Sequence, residues 1–277
     1  MTAPAAPASS GAAFAQARSE GRAALVGYLP AGFPSYDGCI EALVAMVDAG
    51  VDVVEVGLPY SDPVIDGATI QAAAEIALRG GTRTADVLRT VEAVASAGAA
   101  VVVMTYWNPV LRYGPERFAR DLRAAGGRGL ITPDLIPEEA GEWMAAAASH
   151  DLDRVFLVAP SSSEQRIART VDACRGWVYA ASTMGVTGAR TKTSSVAPAL
   201  VERVRSATAL PIGVGLGVSD GGQAAEVAAY ADGVIVGSAF VRLLLDADTP
   251  SAGVKAVAGL SEELAAGVRR PARPAAG

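Results

Sequence analysis

VVEVGLPYSDPVIDGATIQ, residues 53–71, reads as a strand that runs through a loop into a helix. Val53, Val54 and Val56 make the near-continuous apolar run of a strand covered on both faces. After Gly57 comes a Pro/Ser/Asp loop, then ATIQAAAEIALRG (68–80), with helical spacing and a terminal Gly. Glu55 interrupts the apolar run, and Asp62 and Asp66 follow within the loop.

The same unit recurs in both directions along the chain. Strand candidates are AALVGYL (23–29), DVVEVG (52–57), AAVVVMTY (99–106), GLITPD (129–134), RVFLVA (154–159), WVYAAS (177–182), PIGVGLG (211–217) and DGVIVGS (232–238). Between them lie amphipathic segments such as YDGCIEALVAMVDAG (36–50), TADVLRTVEAVASAG (84–98) and APALVERVRSAT (197–208). Eight near-uniform βα units predict a single-domain (β/α)₈ TIM barrel over 16–268, with extra short helices. An open doubly wound sheet fits less well, because no unit marks an edge strand or a reversal of strand order. The Ala/Pro/Ser-rich residues 1–15 read as a flexible leader and 269–277 as a flexible tail.

The bulk chemistry excludes several functions. A net charge of −6 offers no basic surface to nucleic acid or an anionic membrane. No apolar run reaches the roughly 18 residues of a membrane span, and the start lacks the cationic and apolar regions of a signal peptide. Cys39 and Cys174 make no disulfide framework, which fits a reducing, cytoplasmic setting. With one histidine, His150, and two cysteines, a His/Cys metal cluster is not available. His150 precedes its strand and so belongs to the face opposite the usual catalytic end of a barrel. Lys192 lies in the polar loop GARTKTSS, not desolvated on a strand as a Schiff-base lysine would be. Carboxylates remain for acid–base chemistry.

Side chains alternate along a strand, so with Val54 and Val56 turned to the outer helices, Val53 and Glu55 face the barrel axis. A carboxyl there should have a raised pKa unless an Arg pairs with it, and no strand offers an inward Arg near its C-terminal end. Glu55 is therefore a candidate general acid/base. Asp66 stays open between a turn or helix-start residue and a functional one, and Asp62 reads as structural or interfacial. GVGLGVSDGG (213–222) after the seventh strand and VGSAF (236–240) after the eighth occupy the usual phosphate-binding place of such barrels. They carry no Lys or Arg, so an anion there would be held by backbone amides and Ser238. MGVTGAR (184–190) adds a third glycine-bearing loop at the same mouth.

VEVGLPYSDPVIDGATIQ resembles the signature of the tryptophan synthase alpha chain family. The resemblance continues through YWNPVLRYG, DLIPEE, GVTGAR, GVGLGVS and VGSAFV, in order and across nearly everything between the tails. It implies retro-aldol cleavage of indole-3-glycerol phosphate to indole and glyceraldehyde 3-phosphate. It also implies a beta-chain partner that carries pyridoxal phosphate, an alpha2beta2 assembly, and no cofactor in this chain. Glu55 would be the general acid/base and Asp66 the second catalytic carboxylate. Tyr28, Met104, Ile131 and Tyr179 would surround the indole and the site interior. Gly188, Gly217, Gly237 and Ser238 would hold the phosphate, and Thr187 would lie in a loop closing over the site. Pro59, Asp62 and the segment around Asn108 would face the beta chain. Ala68, where many members have Pro, and Thr183-Met184, in place of a frequent Arg-Ala, depart from the pattern. Loops 58–68 and 183–195 bury little surface and are expected to order with ligand and partner. Two other functions share these features: a stand-alone indole-3-glycerol-phosphate lyase, and a weakly active subunit that mainly activates the beta chain.

Overall fold

The computed structural model describes residues 7–181 and 196–269. Eight parallel strands close into a barrel in sequence order: β1 Ala24–Pro30, β2 Val53–Gly57, β3 Ala100–Met104, β4 Gly129–Thr132, β5 Asp153–Val158, β6 Val178–Ala181, β7 Ile212–Gly215 and β8 Gly233–Val236. Around them, among the described residues, run α1 Ser10–Ser19, α2 Tyr36–Asp48, α3 Ala68–Arg79, α4 Thr84–Ser96, α5 Trp107–Tyr113, α6 Pro115–Ala124, α7 Gly141–Ser149, α8 Glu164–Ala173, α9 Val196–Ala207, α10 Gly221–Ala228, α11 Ser238–Leu245 and α12 Pro250–Val268. The predicted TIM barrel is the observed fold.

Local chemistry sets the element ends. Ser35, Ser163 and Asp220 each cap a helix by accepting from a first-turn amide. Gly50 and Gly98 follow α2 and α4 at φ 105° and 97°, a conformation open to glycine at no steric cost. The strand alternation divides the core in two. Val54 and Val56 of β2 pack outward with the helices, whereas Val53 packs inward with Val26, Val102 and Val155. Glu55 shares the inward face and stands in register with Tyr28 of β1 and Val102 of β3.

The loose leader expected over 1–15 is corrected from Ser10 onward. Ser9 caps α1, and Phe14 of that helix is buried, stacking on Trp177 at 5.1 Å between ring centroids. Asp153, at the start of β5, accepts from the Ser10 amide at 2.8 Å and the Ser10 hydroxyl at 2.6 Å. Trp177 Nε1 in turn donates to the Ser10 hydroxyl at 3.1 Å. The helix thus plugs the N-terminal end of the barrel with an aromatic side chain. At the other terminus Arg269 ends α12, with its Nη1 donating to the Ala265 carbonyl at 2.7 Å. Residues 1–6 and 270–277 lie outside the described residues.

Candidate active site

The C-terminal ends of the strands surround a cavity of about 430 Å³. Glu55 is 1% exposed, and its Oε2 has no hydrogen-bond partner among the described residues. Burial, and then the charge of Asp66, push its pKa up to about 8. The carboxyl thus holds a proton under conditions in which an ordinary glutamate has lost it.

Asp66 comes from the β2–α3 loop. The cap of α3 is Gly67, so Asp66 does not begin the helix; its Oδ1 accepts from the Tyr106 hydroxyl at 3.0 Å. Burial raises the Asp66 pKa, and the Tyr106 hydrogen bond opposes the shift. The Tyr106 oxygen also accepts from the amides of Val64 at 3.1 Å and Ile65 at 3.0 Å. One phenol just beyond β3 therefore fixes the loop that carries the second carboxylate. Tyr106 had no assigned role in the sequence; its only signal was its place in YWNPVLRYG.

Tyr28 and Tyr179 wall the cavity beside Glu55, with Met104 and Leu157 completing the apolar side. Burial raises both phenols' pKa values, so they stay protonated and able to donate. Their rings need two glycines: a Cβ added at Gly57 would stand 2.4 Å from the Tyr28 oxygen, and one at Gly215 would stand 2.6 Å from that of Tyr179. Tyr179 is backed by Trp177, with ring centroids 5.8 Å apart. Gly217, Gly237 and Ser238 also line the cavity. Ser238 opens α11, whose first turn holds no acidic residue, so its free amides and dipole favour an anion. Among the described lining residues there is no Lys or Arg.

A buried acid, a second carboxylate and the N-terminus of α11 thus share one chamber. The family model described as tryptophan synthase alpha chain matches residues 14–269. The chain belongs to the tryptophan synthase alpha chain family. It is 64% identical over 262 residues to the tryptophan synthase alpha chain of Salinispora arenicola, covering 95% of this chain and 98% of that one. The counterpart from Nocardia farcinica is 63% identical over 256 residues, covering 92% and 94% respectively. Among solved structures, a chain of Mycobacterium tuberculosis tryptophan synthase superposes with a TM-score of 0.90 at 57% identity, over 96% of this chain and all (100%) of that one. The alpha subunit from Pyrococcus furiosus keeps the family fold at 29% identity, with a TM-score of 0.81 over 88% of this chain and 98% of that one.

The residues singled out in the sequence fall into several groups. Glu55, Asp66, Tyr28, Met104, Tyr179, Gly217, Gly237 and Ser238 all line the cavity. Ile131 does not: it is fully buried in the apolar cluster of the barrel interior, against which Met104 and Tyr179 pack. Thr187, Gly188, Thr183-Met184 and Lys192 lie outside the described residues. Pro59 and Asn108 meet in a second groove of about 460 Å³, together with Tyr60, Arg83 and Arg112. Pro59 is buried there, and Asn108 Nδ2 donates to the Tyr60 hydroxyl at 3.0 Å. Asp62 is exposed beside this groove and accepts from the Ser61 hydroxyl at 2.6 Å. His150 pairs with Glu116 at 2.6 Å, after α7 and before β5, away from the cavity.

Proposed function

We infer that this chain is the alpha subunit of a tryptophan synthase and cleaves indole-3-glycerol phosphate to indole and glyceraldehyde 3-phosphate. The observation that carries the mechanism is the buried Glu55 carboxyl beside Asp66, in a chamber also lined by Gly217, Gly237 and Ser238 and free of Lys and Arg among its described lining residues. Glu55 delivers its proton to C3 of the indole ring, which leaves an iminium-like centre at the ring nitrogen. Asp66 accepts the ring N–H and stabilises that positive charge. The Glu55 carboxylate then takes the proton from the side-chain hydroxyl next to the ring. As that O–H bond breaks, the carbonyl forms, the C–C bond cleaves, and its electron pair returns to the ring to neutralise the iminium. Glu55 ends protonated, as it began.

The ring nitrogen is the electron sink and the two carboxyls handle the protons, so the reaction asks for no cofactor from this chain. Pyridoxal phosphate belongs to the beta chain. We assign the phosphate to the amides around Gly217 and Gly237 and to Ser238, where a dianion gains from the α11 dipole without a paired cation. The groove at Pro59 and Asn108, with Asp62 beside it, is assigned to the beta chain in an alpha2beta2 assembly. Tyr60 of that groove contacts the Tyr106 ring, 5.3 Å between centroids, and Tyr106 holds Asp66, so partner docking bears on a catalytic group. The two buried free thiols suit a reducing cytoplasm, and no helix among the described residues is long and apolar enough to cross a membrane. The test is indole release from indole-3-glycerol phosphate by the purified chain, alone and with a cognate beta chain. Release that accelerates with the partner is expected; no release under either condition would overturn the assignment.

A further inference from the structure

Tyr28 lies along the cavity wall between its two functional ends. The base of its ring lies against Gly237, where an added Cβ would come within 3.2 Å of Tyr28 Cδ1. Its hydroxyl reaches Gly57, where an added Cβ would stand 2.4 Å from the oxygen. Gly237 adjoins Ser238 at the anion end, and Gly57 lies just beyond Glu55 at the acid–base end. The phenol therefore spans the distance that separates the two. Burial, and then the charges of Asp66 and Glu55, keep its hydroxyl protonated. That hydroxyl makes no hydrogen bond among the described residues, and Tyr28 is half-buried on the wall of the chamber. A ligand that supplies an acceptor there gains a hydrogen bond that the described residues do not provide.

We propose that the Tyr28 hydroxyl is a specificity-determining donor to the hydroxylated side chain of the substrate. The proposal rests on the assignment of indole-3-glycerol phosphate to this cavity. With the ring N–H on Asp66 and the phosphate at Ser238, the three-carbon chain crosses the gap that Tyr28 spans. Its two hydroxyls are then the acceptors within reach of the phenol. Phenylalanine would fill the same space and pack against the same glycines, so the ring alone does not need the oxygen. The oxygen distinguishes a hydroxylated chain from a plain alkyl one, as expected where a site is built to bond a substrate hydroxyl.

Tyr28→Phe, assayed with the beta chain bound, separates this role from packing. Two ligands are compared: indole-3-glycerol phosphate by kcat/KM, and indole-3-propanol phosphate by Kd. The second has the same ring, chain length and phosphate but neither hydroxyl. Loss of one neutral hydrogen bond predicts a roughly tenfold fall in kcat/KM for the glycerol compound. The Kd of the propanol compound should stay unchanged or become lower, since its complex leaves the wild-type hydroxyl unpaired. Retained binding of that compound also shows the variant to be folded. Equal losses on both ligands would mean that the ring packs and the oxygen is idle, which overturns the proposal. No loss on either would overturn it as well. Wild-type protein that neither binds the propanol compound nor cleaves the glycerol one would instead sink the assignment of the cavity.

Discussion

Replacing Glu55 by Gln should make the protein more stable at neutral pH while removing its activity. Folding carries this carboxyl from an ordinary pKa of 4.5 to about 8. At pH 7 the unfolded chain has lost the proton and the folded chain mostly keeps it, a penalty on the order of 3 kcal/mol. The Gln amide is nearly isosteric, but it still places a polar atom where Glu55 Oε2 lacks a partner. That returns about 1–2 kcal/mol, so a net gain of about 1–2 kcal/mol remains, or roughly 5 °C in Tm for a domain of this size. The folded-state pKa lies above the unfolded one. The contribution of Glu55 to stability is therefore fully present below about 4.5 and is lost as pH rises through about 8. Thermal or urea unfolding of both proteins from pH 5 to pH 8 reads this directly, and the gap should widen by about 3 kcal/mol over that range. A gap that stays flat with pH would mean that Glu55 ionises like a surface residue, and the burial argument would fail.

Three further outcomes follow from other parts of the molecule. Tyr106→Phe should lower kcat/KM by roughly 10- to 100-fold by freeing the Asp66 loop, and circular dichroism should find the barrel intact. Unchanged turnover would deny Tyr106 its positioning role. Ser238→Ala should raise KM for indole-3-glycerol phosphate about fivefold with kcat little changed, since it removes binding made equally before and during the reaction; a fall in kcat alone would contradict the placement of the phosphate. Phe14→Ala should lower stability by about 3–5 kcal/mol. A truly loose leader would make that substitution silent in a melting experiment.

The barrel and its acid were legible because both depend on local pattern. Val53, Val54 and Val56 fix the phase of β2, and the phase places Glu55 inside whatever the neighbouring strands do. The glycines after β7 and β8 were legible for a similar reason, since their place in the βα order sets their face. What was not legible depends on contacts distant in sequence. Ser10 meets Asp153 across 143 positions, and composition alone presented the first part of that helix as a flexible leader. Tyr106 meets Asp66 across 40 positions, once the β2–α3 loop folds back over β3. Asp66 itself could not be separated from a helix-start aspartate until the cap of α3 proved to be Gly67.

The central claim is that one buried, proton-bearing carboxyl carries out the cleavage. Indole release from indole-3-glycerol phosphate, measured for wild type and Glu55→Gln with the beta chain saturating, tests it most directly. Loss of the group that both gives and takes the proton predicts a fall of roughly three orders of magnitude or more. A folded Glu55→Gln protein that keeps a tenth or more of the wild-type rate would contradict the account.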